Sequence, residues 1–214
     1  MEKRFGTAAR AYLLLLAIAG WFGLIVQFDF LMEGKAAPVP ELLIRYFTFF
    51  TILTNLLIAV GSTIISLMPR SGWGKFFSKA TTLTAMTVNI VIVGAVYNLL
   101  LRSLASFHGI QSLANELLHL VIPVLFFMFW LIVVPKGRLK WSNVWLWMIY
   151  PLVYLAIVLI RGELSGYYPY PFLNVTKLGY PQTLLNCGGV AAVFIIISLI
   201  FVGIGKLTGK KTGR

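Results

Sequence analysis

Charged residues, acids, histidines and cysteines are all scarce in this sequence. Only 11% of the 214 residues are charged, and there are 6 acids, 2 histidines and 1 cysteine. The single cysteine, Cys187, excludes an intrachain disulfide and a multi-cysteine zinc site. Because His119 is the one histidine within an apolar run, a haem held between two histidines of the membrane interior is excluded. Asp29 is the one aspartate, which excludes an intramembrane protease that needs two.

Motifs of other well-defined classes are also missing. The chain has no G-x-S-x-G elbow, no H-E-x-x-H pair and no P-loop lysine motif. An ion-coupled transporter more usually has several buried carboxylates or interrupted helices in matched halves, and we find neither. We therefore expect no metal and no organic cofactor.

Apolar residues dominate what is present. They make up 59% of the chain, whereas a soluble domain is closer to half apolar and a quarter charged. A helix needs about twenty apolar residues to cross a bilayer, and in lipid a helix satisfies its backbone hydrogen bonds internally. The sequence therefore predicts an all-α, six-transmembrane-helix bundle that forms a single domain over residues 1–214. The predicted spans are about 10–32, 42–68, 80–101, 112–134, 143–161 and 184–205.

The distribution of Lys and Arg predicts how these spans are oriented. A net charge of +12 would suit nucleic acid if the basic residues formed one patch, but they are spread over short segments between apolar runs. Most lie at the two ends and in two of the loops, which the positive-inside rule assigns to the cytoplasm. We therefore expect a multi-pass protein of the plasma (inner) membrane with both termini cytoplasmic, and no nucleic-acid partner. The predicted cytoplasmic basic residues are Lys3, Arg4, Arg10, Arg70, Lys75, Lys79, Lys136, Arg138, Lys140, Lys206, Lys210, Lys211 and Arg214.

The predicted outer loop of residues 162–183, GELSGYYPYPFLNVTKLGYPQT, is long and rich in tyrosine and proline. Because tyrosine prefers the membrane interface, one interpretation is an interfacial aromatic girdle. The other is a lid, in which Tyr167 to Phe172 folds back over the outer mouth of the bundle.

Polar side chains inside the predicted spans are candidates for a site, because placing them in lipid is costly. A threonine in a membrane helix commonly bonds its own backbone, and Asn55 and Asn89 would serve equally well to clamp helices together. His119 differs, because an ionisable group inside a span is a functional candidate by default. The polar residues of spans two, three and four include Thr48, Thr51, Thr54, Asn55, Asn89, Tyr97, Asn98, Asn115, Glu116 and His119.

Thr51 and His119 are predicted to lie at similar depths. Thr51 is about nine residues into span two and His119 about seven into span four, which at about 1.5 Å per residue places both on the order of 10–14 Å below the outer boundary. A hydroxyl beside an imidazole is the minimum set for a nucleophile activated by a general base.

Four stretches resemble a family of small bacterial membrane proteins that are distant relatives of the androgen-induced and androgen-dependent membrane proteins of animals. The animal members are atypical intramembrane threonine hydrolases, which cleave fatty acid esters of hydroxy fatty acids. The resemblance covers spans two to six and implies a six-span bundle that acts on a lipid or fatty-acid ester. The stretches are FFTILTNLL (49–57), NELLHLVIPVLFFMFWLI (115–132), WLWMIYPLVYLAIVLIRG (145–162) and YYPYPFLNV (167–175).

Carried onto this sequence, the resemblance implies His119 as the catalytic base. It implies Thr51 as the nucleophile, because Thr51 follows an aromatic pair and has a polar residue three positions later. Thr48 has a similar context and stays the alternative nucleophile. Glu116 or Asn55 is expected to orient the imidazole or to hold the oxyanion.

The remaining supporting residues are expected to bind substrate. Three arginines near the outer boundary would receive a fatty-acid carboxylate, or would simply extend to the interface. A non-enzymatic lipid-binding or transport protein with the same pocket is the alternative function. The supporting residues are Asn89, Tyr97, Arg45, Arg102 and Arg161.

The topology has a direct test. A reporter enzyme that is active only in the periplasm should be inactive when fused after Arg214, because the basic C-terminal segment stays in the cytoplasm. The same reporter inserted in the 162–183 loop should be active. The opposite pattern of activity would contradict the predicted orientation.

Overall fold

The structure, a computed structural model, describes residues 5–104 and 106–208. These residues form helices and turns, with no β-strand among them, which confirms the all-α class. Six helices are long and apolar enough to cross a membrane, as in a multi-pass membrane protein. They are Thr7–Glu33, Phe50–Leu67, Ala80–Leu104, Gly109–Val133, Asn143–Ser165 and Val175–Thr208.

The chain divides into two compact units, one up to Pro135 and one from Lys136. That both belong to a single domain stays a prediction. The helices of the first unit are α1 (Thr7–Glu33), α2 (Val39–Thr48), α3 (Phe50–Leu67), α4 (Gly72–Phe77), α5 (Ala80–Val96), α6 (Gly109–Glu116) and α7 (Ile122–Val133). This unit also has π-helical turns at Tyr97–Leu101 and Leu117–Val121 and a 3₁₀ turn at Arg102–Leu104. The second unit has α8 (Asn143–Ser165), a 3₁₀ turn at Pro171–Leu173 and α9 (Val175–Thr208).

Close approach of helices holds the first unit together. A Cβ atom added to Gly20 would lie 3.2 Å from Ala59 Cβ on α3, and one added to Gly23 would lie 2.9 Å from Leu118 Cδ2. Small residues permit such contacts, and in lipid this close packing supplies much of the attraction between helices.

Predicted span two is interrupted at Phe49, which has an extended conformation (φ −79°, ψ 126°). No proline or glycine causes the break. The hydroxyl of Thr48, the last residue of α2, donates to the carbonyl of Ile44 at 2.6 Å. Thr51 lies in the first turn of α3.

The second unit shortens the predicted outer loop, because α8 continues to Ser165 and α9 already begins at Val175. Gly166 ends α8 with a positive φ of 68°, and Gly179 interrupts α9 with φ 73° and ψ 161°. Both are conformations that glycine adopts at little cost.

The aromatic segment of this loop packs within its own unit. The phenol ring of Tyr168 covers Gly162, where an added Cβ would lie 2.0 Å from Cε1. Tyr170 stacks on Phe172 with 5.3 Å between ring centroids, and Asn186 Nδ2 donates to Phe172 O at 3.0 Å. The segment is therefore anchored on α8 and α9, and its role as a lid over the outer mouth of the bundle stays a prediction.

A substitution at Gly74 in α4 tests the packing of the first unit. A Cβ at this position would lie 2.2 Å from the carbonyl oxygen of Met68, a backbone atom that cannot easily move. Gly74→Ala should therefore lower the free energy of unfolding by about 1–3 kcal/mol. Gly72→Ala is the control, because nothing lies within 4 Å of its added Cβ. Thermal unfolding of the purified proteins in detergent should separate the two variants, and equal midpoints would contradict this packing.

Candidate functional site

Two π-helical turns face each other where polar side chains of the first unit meet. We call this group the polar cluster; its members are Asn55, Tyr97, Asn98, Arg102, Asn115, Glu116 and His119. We name the two turns the Tyr97 π-turn (Tyr97–Leu101) and the His119 π-turn (Leu117–Val121). Asn98 joins them, because its Nδ2 donates to the carbonyl of Gly94 at 2.7 Å and to the carbonyl of His119 at 2.9 Å. Turns of this kind are rare and often occur at functional sites.

The imidazole of His119 has a defined orientation. Its Nδ1 lies 2.9 Å from the carbonyl oxygen of Asn115, and its ring stacks on Tyr97 with centroids 3.8 Å apart and 24° between the planes. A carbonyl oxygen only accepts hydrogen bonds, so Nδ1 carries the proton of the neutral ring. The lone pair of Nε2 is then available to accept a proton.

Tyr97 and Asn115, which both contact the imidazole, are also hydrogen-bonded to each other. Asn115 Nδ2 donates to the phenol oxygen of Tyr97 at 2.7 Å, and both side chains are buried. The residue that orients the imidazole through its carbonyl thus also positions the ring on which the imidazole stacks. This contact was absent from the sequence interpretation, although the i, i+4 spacing of Asn115 and His119 is a signal for it.

Glu116 has a different partner from the one predicted. Its two carboxylate oxygens accept from the Nη atoms of Arg102 at 2.7 and 2.8 Å. Arg102 Nε also donates to Asn98 Oδ1 at 2.8 Å, and its guanidinium lies 5.5 Å from the centroid of the Tyr97 ring. The charge of Arg102 is therefore already balanced, and a ligand carboxylate would have to compete with Glu116 for it.

Asn55 connects the first turn of α3 to the His119 π-turn. Its Nδ2 donates to the carbonyl of Thr51 at 2.9 Å and to that of Leu118 at 3.1 Å. Both amide hydrogens are used, so Asn55 acts as the clamp that the sequence analysis considered, and it has no further hydrogen for an oxyanion. The structure thus brings the Thr51 turn next to the residue that precedes His119.

The threonine–histidine pairing itself stays a prediction. Within residues 5–104 and 106–208, the hydrogen bond of the His119 ring is the one to Asn115, and no threonine hydroxyl bonds to it. Catalytic hydrogen bonds often form only when substrate is bound, so this geometry leaves the pairing open.

The other predicted supporting residues have partners near their own positions in the chain. Asn89 Nδ2 donates to Ala85 O one turn earlier at 2.7 Å. Arg45 pairs with Glu41 at 2.8 Å. In the second unit, Arg161 donates to the carbonyl of Tyr167 at 3.3 Å.

Two buried amide oxygens remain candidates for contact with a ligand. Asn55 Oδ1 and Asn89 Oδ1 have no hydrogen-bond partner among the described residues, and these residues are 0% and 3% exposed. A buried oxygen without a donor is unfavourable by about 1–3 kcal/mol. A hydroxyl group supplied by a ligand would relieve this cost.

Comparisons with models of known protein families, with curated proteins and with solved structures found no match. The six membrane-length helices define the class of protein, a polytopic α-helical membrane protein. Because no relative matches, its function has to be argued from the site.

The tautomer of His119 can be measured directly. In the His108→Gln variant His119 is the one remaining histidine, so the imidazole ¹⁵N signals of uniformly labelled protein belong to it. At about pH 8, where an ordinary imidazole is neutral, Nδ1 should show the shift of a protonated nitrogen and Nε2 that of an unprotonated one. A neutral ring protonated at Nε2 would contradict the bond to Asn115.

Proposed function

We propose that this protein is an intramembrane hydrolase of lipid esters, with Thr51 as nucleophile and His119 as general base. The observation that carries the proposal is the orientation of the imidazole, whose Nδ1 is bonded to Asn115 O. A base must present an unprotonated nitrogen to the hydroxyl it activates, and this hydrogen bond leaves Nε2 in that state.

The reaction has two steps. Thr51 Oγ1 attacks the ester carbonyl carbon while Nε2 of His119 takes the hydroxyl proton, and that proton then passes to the departing alcohol as its C–O bond breaks. Water then attacks the carbonyl carbon of the acyl-threonine and gives a proton to Nε2. Nε2 returns this proton to Thr51 Oγ1 as the bond between Oγ1 and the acyl carbon breaks, which releases the fatty acid.

Thr51 is favoured over Thr48 by the hydrogen bonds that connect its turn to the histidine. The backbone of Thr51 shares the Asn55 amide with Leu118, the residue before His119. Thr51 is thus the threonine whose turn is tied to the His119 π-turn.

The substrate class follows from the resemblance noted in the sequence and from the surroundings of the site. The cluster lies on helices apolar enough to span a membrane, which favours an ester with a long acyl chain. We propose an ester of the type formed by a fatty acid and a hydroxy fatty acid, reached from the outer side of the plasma (inner) membrane, with both termini of the protein cytoplasmic.

Substitutions at the two threonines identify the nucleophile. Purified protein should hydrolyse a chromogenic long-chain acyl ester, and Thr51→Val should abolish turnover because it removes the hydroxyl at nearly unchanged volume. Thr51→Ser should keep part of the activity, and Thr48→Val is the matched control that should stay active. Loss of activity in Thr48→Val alone would transfer the role to Thr48. Full activity in both valine variants would favour the non-enzymatic lipid-binding function.

The pH dependence tests the base. Protonated imidazole cannot accept the threonine proton, so kcat/KM should rise with pH through the pKa of His119 and level off above it. His119→Ala should lower kcat/KM by about 10²–10⁴-fold and remove this inflection. His108→Ala, at the exposed start of α6, is the control and should keep both. An unchanged pH profile in His119→Ala would exclude His119 as the base.

A further inference from the structure

The segment between α3 and α5, residues 70–79, contains three basic residues and no acidic residue. We name it the basic loop. It contains Arg70, Lys75 and Lys79, and the nearest acidic residues along the chain are Glu41 and Glu116. All three cations are exposed, and none of them pairs with a carboxylate of the described residues. Their charges are therefore available to an external anion.

The basic loop has a fixed conformation. Ser71 Oγ accepts from Gly74 N at 2.9 Å and donates to Met68 O at 2.8 Å. Ser78 Oγ donates to Gly74 O at 2.6 Å. Gly74 itself sits against Met68 O, where an added Cβ would be only 2.2 Å away. The backbone of the loop therefore has little conformational entropy left to lose on binding.

Aromatic side chains accompany the charges. Phe77 is 6% exposed and turns inward, whereas Trp73 and Phe76 are 65% and 42% exposed. The rings of Trp73 and Phe76 meet edge to face at 6.0 Å, and Lys79 Nζ lies 5.6 Å from the centroid of the Phe76 ring. An exposed tryptophan beside lysines is the composition of a membrane interface.

The position of the basic loop in the chain indicates which kind of partner it binds. It joins two helices that are long and apolar enough to cross a membrane, so it meets the bilayer at the level of the lipid headgroups. We propose that the basic loop is a binding site for anionic phospholipid headgroups, with the three cations contacting phosphate and the two exposed rings inserted beside the glycerol. Each basic residue near a membrane surface changes affinity for anionic lipid by about fivefold.

Native mass spectrometry of the full chain in detergent tests this site. The protein is titrated separately with phosphatidylglycerol and with phosphatidylcholine of the same acyl chains. The parent should bind the anionic lipid more tightly. Lys75→Gln should weaken that binding by about fivefold and the triple variant Arg70→Gln, Lys75→Gln, Lys79→Gln by about 10²-fold, with phosphatidylcholine binding unchanged.

A second triple variant separates a local site from the effect of net charge. Lys35→Gln, Lys177→Gln, Lys206→Gln removes the same number of exposed charges from three separate segments of the chain, and it should reduce the binding of the tightest phosphatidylglycerol by less than about fivefold. Higher ammonium acetate concentration should weaken binding to the parent and leave the basic-loop triple variant nearly unaffected. Equal losses in the two triple variants, or a parent that does not distinguish the two lipids, would overturn the proposal.

Discussion

Backbone carbonyl groups inside an apolar helix bundle need hydrogen-bond donors, and asparagine side chains meet this need around the His119 π-turn. Asn98 bonds the carbonyl of His119, and Asn55 bonds that of Leu118. Each amide also bonds a carbonyl of its own helix, at Gly94 and Thr51. Because a buried polar group without a partner is strongly unfavourable in lipid, these bonds tie α3, α5 and the π-turn into one arrangement.

The chemistry available to His119 follows from that arrangement. The carbonyl of Asn115, one turn before His119, lies 2.9 Å from Nδ1 of the imidazole within the His119 π-turn. The phenol ring of Tyr97 stacks on one face of the imidazole. The ring is thereby held in one tautomer by neutral groups, so in the proposed reaction His119 would act as the base without the buried carboxylate of a serine hydrolase triad.

Ion pairing near the site keeps the cluster electrically balanced. Arg102 and Glu116 bond through two parallel hydrogen bonds, a geometry that is stronger and more directional than a single contact. Their side chains remain 42% and 33% exposed, so the pair contributes more to positioning the 3₁₀ turn at Arg102 and the end of α6 than to stability. The cations of the basic loop pair with no carboxylate in the part of the chain that the structure describes, which is why we assign them to lipid.

The sequence by itself determined the all-α class and the six membrane-length helices, because hydrophobic length is a property of each segment alone. It also indicated that His119 is the ionisable group to examine. It did not determine the break at Phe49, which contains neither proline nor glycine, nor the early start of α9 at Val175. Only the tertiary structure decided that Asn115 rather than Glu116 orients the imidazole, and that Asn55 and Asn98 hold the π-turn. Those bonds depend on which carbonyls a neighbouring helix brings within about 3 Å, a distance that the order of residues along one helix does not contain.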